Sequence, residues 1–357
     1  MNIHELKTLM GQSIRDAHPF VTYRKPGTDS LVTWICDSEE FMTRSDLSEP
    51  GFVFSPFDPG LDSVFFPLKT SKVIRTPVGF SKWKSSVNMK DPNDRSLEKK
   101  DGDSHVDLVK KAVEEIRSGI AEKIVVSRKE EIRDIPMNPV EVFMRLATLY
   151  PQAYSYIWYH PEVGLWAGST PETLVEVEDR TFVTMSLAGT QRYLGNENVT
   201  WGVKELEEQR MVTDLIRKEL GSLLEHIGEP HTQRAGHLLH LRTDLRGSLK
   251  EDHEFSDLIR RLHPTAAICG LPRKVALEFI RLNEGYSREY YTGFLGEVNF
   301  PVSGSAHLVV NLRCMRMFPE EKKAWVYVGG GITASSEPEK EWEETRAKSE
   351  TMKRVFS

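Results

Sequence analysis

Near the end of the chain, YYTGFLGEVNF (290–300), AHLVVNLRCMRMF (306–318) and KAWVYVGGGI (323–332) follow one another with no helical stretch between them. Each is rich in β-branched and aromatic residues, which suit a pleated, half-buried surface, so all three read as strands. A second run of strands follows KIVVSRKEEI (123–132), with AYSYIWY (153–159), VGLWAGS (163–169), LVEVE (174–178) and TFVTMSL (181–187). Helices form their own blocks: WGVKELEEQRMVTDLIRKELGSLLEHIG (201–228), EFSDLIRRLHP (254–264), PRKVALEFIRLNEG (272–285) and EPEKEWEETRAKSETMKRVF (337–356). Strands and helices in blocks, rather than strictly alternating, predict an α+β fold of large antiparallel sheets.

Further upstream, SHVDLVKKAVEEIRSG (104–119) opens with Ser104 and has Asp107 three residues on, the pattern of a capping box. Val106, Val109, Val113 and Ile116 recur at helical spacing, and Gly119 stands where a helix C-cap belongs. The polar stretch Asn88–Ser104 reads as an exposed loop or linker. The first eighty or so residues read as short strands, among them LVTWIC (31–36) and GFVFSPF (51–57), with turns at PGTDS (26–30) and DPGLD (58–62). Residues 1–104 are expected to be a strand-rich N-terminal part of the same domain as a catalytic core at 105–357.

The chain has 357 residues, enough to bury a substantial core, with 39% hydrophobic and 28% charged residues. A formal net charge of -6 supplies no basic field for nucleic acid or acidic membrane. The three cysteines, Cys36, Cys269 and Cys314, lie far apart, with neither zinc spacing nor a disulfide framework. No signal peptide and no membrane-spanning apolar run is visible, so a cytoplasmic protein is expected.

Two helices carry carboxylates three residues apart, Glu205 with Glu208 and Glu341 with Glu344, so each pair shares a helix face. Either these are solvated faces, or the pairs converge into an oxygen-rich site for a hard cation such as Mg²⁺. Trp342, between the glutamates of the second pair, suggests that this turn packs against something, and Lys348 lies one turn beyond Glu344. Gly329, Gly330 and Gly331 end a strand just before the acidic helix. They are either a tight turn or a place where backbone approaches a ligand closely. Lys123, at the entrance of IVVS, is either a solvated edge charge or, if buried, a base. Glu172 is a carboxyl that burial could keep protonated as an acid. His263 is a core histidine or a substrate contact. Tyr291 and Arg313 are expected on neighbouring strands, with Arg313 suited to clamp a carboxylate.

Taken in order, KIVVSR, GSTPE, SLAGT, KELEEQRMV, LHPT, YYTG, VNLRC, VGGGI and EKEWEETRAK resemble the chorismate-binding enzymes. That family includes isochorismate synthases, salicylate synthases and the large subunits of anthranilate and aminodeoxychorismate synthases. The resemblance covers roughly residues 105–356 and implies an anthranilate synthase component I-like domain around a Mg²⁺-dependent site. By motif, Glu208 and Glu344 resemble the principal metal ligands, supported by Glu205 and Glu341. Arg313, Tyr291, Gly329 and Gly331 match positions holding the substrate's carboxylates. Lys348 matches a lysine near the ring carboxylate, Thr190 lines the pocket, and His263 matches a histidine near the reacting part of the ring. Glu337, Glu339 and Glu343 are expected at the periphery.

Within the family, a lysine just before the VxxSR-type strand marks the members that use water, and here it is Lys123. The resemblance therefore implies an isochorismate synthase of menaquinone or siderophore type, an isomerase acting on chorismate. Lys123 takes a proton from water attacking C2, and Glu172 protonates the departing C4 hydroxyl. Neutrality of that lysine near pH 7 requires a pKa lowered by about 3 units. The alternative is a salicylate synthase; an anthranilate or aminodeoxychorismate synthase subunit, or a non-catalytic relative, ranks lower. No fused G-x-C-x-G glutaminase motif is present and the water route needs no glutaminase subunit; with no exposed heptad or interface stripe in the sequence, a monomer is expected. Ala266 stands where relatives commonly have proline, and Gln209 where some have histidine.

Overall fold

The structure, a computed structural model, describes residues 1–37, 43–44, 47–80, 99–135, 138–236, 238–251 and 253–356. Its described strands form two sheets, every pairing antiparallel. The nine-stranded first sheet runs Gly270–Leu271, Lys123–Ile132, Lys323–Ile332, Cys314–Phe318, Gly164–Thr170, Tyr154–His160, Phe20–Arg24, Ser30–Cys36, Ser71–Pro77. The ten-stranded second sheet runs Leu224–Ile227, Leu238–Ser248, Thr181–Arg192, Thr173–Glu178, Ala306–Val310, Phe294–Val298, Gly51–Ser55, Ser63–Pro67, Thr43–Arg44, with His231–Ala235 also on Leu238–Ser248. This is the α+β architecture that the blocks of strands imply.

The sheets pack face to face across a layer of aromatic side chains, including Tyr23, Trp34, Phe52, Phe54, Tyr156, Trp158, Trp166 and Tyr327. Burial of each large apolar side chain contributes roughly 1.5–3 kcal/mol. Helices cover the outer faces. Ile3–Arg15, Pro139–Leu149 and the C-terminal end of Pro338–Lys353 pack on the first sheet. Val203–Leu220 and Phe255–Leu262 pack on the second. Lys99–Arg117 and Arg273–Asn283 pack together against the outer face of the strand Lys123–Ile132. Strands such as Gly51–Ser55 and Phe294–Val298 are therefore buried at every position, which is why their sequences do not alternate.

Tertiary packing moves several boundaries. Ile3–Arg15 is a helix closed by an Asn2/Glu5 capping box, where only strands were expected. Residues 88–98 of the expected loop lie outside the described residues, and its remainder belongs to the Lys99–Arg117 helix. Ser104 is thus interior, not a cap: Gly102 sits so close to the Trp342 indole that an added Cβ would lie 3.3 Å from it. The helix expected over 201–228 ends at Leu220, where Gly221 takes φ 53, and Leu224–Ile227 joins the second sheet as a strand. AHLVVNLRCMRMF divides at Asn311–Arg313: Ala306–Val310 belongs to the second sheet and Cys314–Phe318 to the first. No helix among the described residues is long and apolar enough to cross a membrane.

Candidate active site

Where chain segments cross from one sheet to the other, they leave irregular backbone facing the interior. Gly164–Thr170 of the first sheet reaches Thr173–Glu178 of the second through Pro171 and Glu172. Ala306–Val310 returns to Cys314–Phe318 through Asn311–Arg313. The crossings run side by side: the Val310 N–H donates to the Glu172 carbonyl (2.9 Å) and the Ser169 N–H to the Arg313 carbonyl (2.9 Å). Tyr291 precedes Phe294–Val298, and its neighbour Thr292 donates its N–H to the Asn311 carbonyl (2.9 Å). Arg313 thus lies on a crossing and Tyr291 in the connection from the Arg273–Asn283 helix to Phe294–Val298, not on neighbouring strands as expected. Pairing can hold only one sheet at a time, and the chain must break extension to change sheets. Arg313 does so at φ 47, a costly conformation for a side-chain-bearing residue, and Thr292, in the connection before Phe294–Val298, takes φ 60.

These crossings wall a cleft lined also by Thr190, Glu208, His240, Gly329, Gly330, Gly331, Glu344 and Lys348. Glu172 is 3% exposed there, and burial pushes its carboxyl up to about 8 against the pull of Lys123 and Arg313. Arg313 donates to the Lys348 carbonyl (3.3 Å) and Thr351 Oγ1 (3.4 Å). Burial pushes its guanidinium below the ordinary value. Burial pushes the Tyr291 phenol up, and its ring stacks on Tyr327.

Opposite, the strand Lys323–Ile332 brings its glycines past Lys123–Ile132, with Gly331 paired to Val125 and Gly329 to Ser127. A Cβ on Gly331 would lie 2.6 Å from Glu208 Oε1 and 2.8 Å from Lys123 Cε, so these side chains occupy the space a side chain would need. Lys123 is 1% exposed, its Nζ 2.9 Å from Glu208 Oε1; it is a buried ion-pair partner, not a solvated edge charge. Its strand is braced from behind. Glu284 accepts from the Ser127 N–H (2.8 Å), and Arg288, ion-paired with Glu284, donates to the Val125 carbonyl (2.8 Å).

Glu208 is placed by its neighbour Gln209, whose amide accepts from the Ala188 N–H (2.9 Å) and donates to Ser186 Oγ (2.8 Å) and Thr243 Oγ1 (3.0 Å). The second acidic helix is oriented by Trp342, with Arg128 4.4 Å above its ring and His105 beside it. Glu341, Thr345 and Ser349 then form a buried polar stripe. Glu337, Glu339 and Glu343 are exposed. Glu205 is half-buried at the start of its helix.

Each inward carboxylate of the two acidic helices is matched to a lysine. Glu208 meets Lys123, Glu344 meets Lys348 at 2.6 Å, and Glu341 Oε1 meets Lys204 Nζ at 2.8 Å. Lys348 also donates to the Gly329 carbonyl (3.0 Å). For Glu344, burial works upward, but Lys348, Lys204 and Arg313 hold it below the usual carboxylate range. Glu341 stands above that range because of burial and the Glu344 charge. No three histidine, cysteine or acidic side chains converge at metal-binding spacing among the described residues. The donor set nevertheless fits a hard cation: carboxylate oxygens of Glu341 and Glu344 lie 3.6 and 4.0 Å from where a Gly330 Cβ would be, and Glu208 adjoins Gly331.

His263 is not brought to the cleft lining. It packs edge-on against Phe294 with Nε2 3.3 Å from the Phe57 carbonyl, and burial pushes it down to about 4. The histidine that lines the cleft is His240, which sequence reasoning missed. Its Nδ1 lies 3.0 Å from the Gly189 carbonyl and 3.3 Å from Thr190 Oγ1. Gly189, at φ 64, makes the bulge between Ala188 and Thr190 that points this carbonyl at the ring. A carbonyl only accepts, so Nδ1 carries the proton and Nε2 is a bare lone pair, buried and without a protein partner. Burial, then Arg313 and Lys348, push the imidazole down to about 3, so it stays neutral. Its only sequence signal is one polar residue in the apolar run LLHL, which core histidines share. Lys204 was also missed.

Residues 80–354 match the family model described as chorismate binding enzyme. Anthranilate synthase component 1 of Aquifex aeolicus is 29% identical over 264 residues, 70% of this chain and 52% of that protein. The salicylate biosynthesis isochorismate synthase of Pseudomonas aeruginosa is 29% identical over 260 residues, 70% of this chain and 54% of that protein. The chain thus spans about half the length of these relatives. The structure of MenF, the menaquinone-specific isochorismate synthase from Escherichia coli, superposes with a TM-score of 0.77 at 21% identity, covering 95% of this chain and 89% of that one. With the family model spanning most of its length, the chain belongs to the chorismate-binding enzymes.

Proposed function

We propose that the protein is an isochorismate synthase, an isomerase that converts chorismate reversibly to isochorismate. Sequence relatives of similar identity divide between anthranilate and isochorismate synthases, so the reading rests on one observation: a wholly buried lysine, Lys123, packed against Gly331 and Glu208, which line the cleft. A lysine there serves a reaction whose nucleophile is water, which must lose a proton as it attacks; ammonia is already a competent nucleophile.

In this reading Lys123 acts as a neutral amine, so its pairing with Glu208 is given up in the working state: water attacks C2 of the ring and gives its proton to that amine. The C4–O bond breaks as the ring double bond shifts, and the hydroxyl leaves as water with the proton of Glu172. One water is consumed and one released, so the net change is migration of the hydroxyl. Glu172 suits the acid role because a carboxyl at about 8 keeps its proton at neutral pH. Arg313 and Tyr291 supply donors for the substrate's carboxylates, with Thr190, Gly329 and Lys348 completing the wall and His263 behind it. Glu208 and Glu344, with Glu205 and Glu341, would hold Mg²⁺, which when bound offsets ring-carboxylate charge as a Lewis acid. The amination partner of anthranilate-type enzymes, a glutaminase subunit, is not required.

The test is incubation of the purified protein with chorismate, with and without Mg²⁺, followed by chromatography. Isochorismate in a reversible mixture with chorismate is the expected result. Salicylate with pyruvate would move the assignment to a salicylate synthase, and no Mg²⁺-dependent loss of chorismate would overturn the reading.

Two variants probe the cleft. Gly331→Ala adds a methyl where Glu208 Oε1 and Lys123 Cε now lie, both ends of flexible side chains that can move aside. The melting temperature should stay within a few degrees while kcat/KM falls about 100-fold, the scale of a 1 Å misplacement. An unchanged kcat/KM would mean that the placement of this pair does not matter. His240→Phe keeps the ring and removes the Nε2 acceptor. Loss of one hydrogen bond to a substrate hydroxyl or the attacking water should lower kcat/KM roughly 10- to 100-fold, with the neutral pH limb unmoved.

A further inference from the structure

Among the lysines that meet the acidic pairs, Lys204 differs from the other two. Lys123 and Lys348 have side chains only 1% and 14% exposed, each held to one carboxylate and wedged beside the glycine strand. Lys204 approaches from the solvent side. Its Nζ is 2.8 Å from Glu341 Oε1, its charge also acts on Glu344 and Glu208, and its side chain is 41% exposed. It precedes Glu205 on the Val203–Leu220 helix and reaches across to the other acidic helix.

We propose that the Lys204 ammonium is a built-in competitor for the divalent cation: it neutralises the glutamates of both helices when no metal is bound and swings into solvent when one binds. This rests on the metal-site reading above. Glu341 and Glu344 stand one helical turn apart, and unneutralised they repel each other. A tethered ammonium relieves that repulsion with a single positive charge. A divalent ion brings twice the charge and can engage several carboxylates at once, so it displaces the lysine. The lysine can leave because its path to water is open; Lys123 has no such path. The consequence is a metal affinity weaker than that of the bare carboxylates, with a metal-free protein that stays folded.

The test compares wild type with Lys204→Met, which keeps the apolar stem, and Lys204→Arg, which keeps the charge. Free Mn²⁺ is titrated against each protein by electron paramagnetic resonance, and Mg²⁺ is used to displace it. Wild type should bind Mn²⁺, Lys204→Met about tenfold more tightly and Lys204→Arg close to wild type. The metal-free melting temperature of Lys204→Met should fall by several degrees and its rise on adding Mn²⁺ should exceed that of wild type. In wild type itself, reductive methylation of Lys204, followed by mass spectrometry, should increase several-fold with Mn²⁺, a readout that needs no variant to fold. Equal or weaker Mn²⁺ binding by Lys204→Met, or methylation indifferent to Mn²⁺, overturns the competitor role while leaving the metal site standing. Absence of Mn²⁺ binding by wild type overturns the metal site and the competitor together.

Discussion

Lys123→Met should lose chorismate isomerisation by about 10³-fold or more while remaining folded, because it removes the proposed base and keeps the buried stem. The cost to the fold is limited. The amine lies 2.9 Å from Glu208, and that carboxylate is 17% exposed, so water can take over part of the lost pairing. A few degrees of melting temperature is the expected price, against an activity that should vanish into background. The informative comparison is a parallel assay with ammonium salt. Unchanged isochorismate formation in the variant would sink the water-attack reading. An aminated product from wild type and variant alike would identify an amination enzyme in which this lysine is incidental.

Glu172→Gln should lower kcat by about 10²- to 10⁴-fold, the usual contribution of a positioned acid. Its pH behaviour discriminates better than the size of the loss. Burial pushes the Glu172 carboxyl up to about 8, and an unfolded glutamate titrates near about 4.3. Between those values folding takes up a proton, so wild-type stability falls as pH rises through that window and levels off above about 8. Glutamine does not titrate. The variant should match wild type near pH 4 and exceed it in melting temperature at pH 8 and above. Wild-type kcat/KM should likewise decline as pH rises through about 8, since only the protonated acid can assist departure of the C4 hydroxyl. A stability difference independent of pH would mean that Glu172 is an ordinary carboxylate in the folded protein.

The strands and helices were legible wherever a local signal agreed with packing. Lys123–Ile132, Gly164–Thr170 and Lys323–Ile332 are strongly apolar and β-branched, and they form strands as read. The signals that failed are those that a neighbour overrides. The Ser104 capping pattern lost to a helix that continues beneath Trp342, and LEHI of 224–227 was taken by the edge of the second sheet. The stripe of Glu341, Thr345 and Ser349 buries polar atoms, so no amphipathic pattern marks which face of that helix turns inward.

The amino-acid sequence alone determined the α+β class, the family and the residue types of the cleft, because strand propensity, helix period and motif order are local properties of the chain. Tertiary structure decided what those residues become. Only the crossings at Pro171–Glu172 and Asn311–Arg313, made where one strand leaves a sheet for the other, set Glu172 and Arg313 side by side. Only the close packing of Lys123 with Glu208, 85 residues on in sequence, and with Gly331, far beyond both, buries that amine. Burial and charge pairing arise from chain segments distant in sequence, so the carboxyl raised to about 8 at Glu172, the unpartnered Nε2 of His240 and the Lys204 bridge to Glu341 have no local signature.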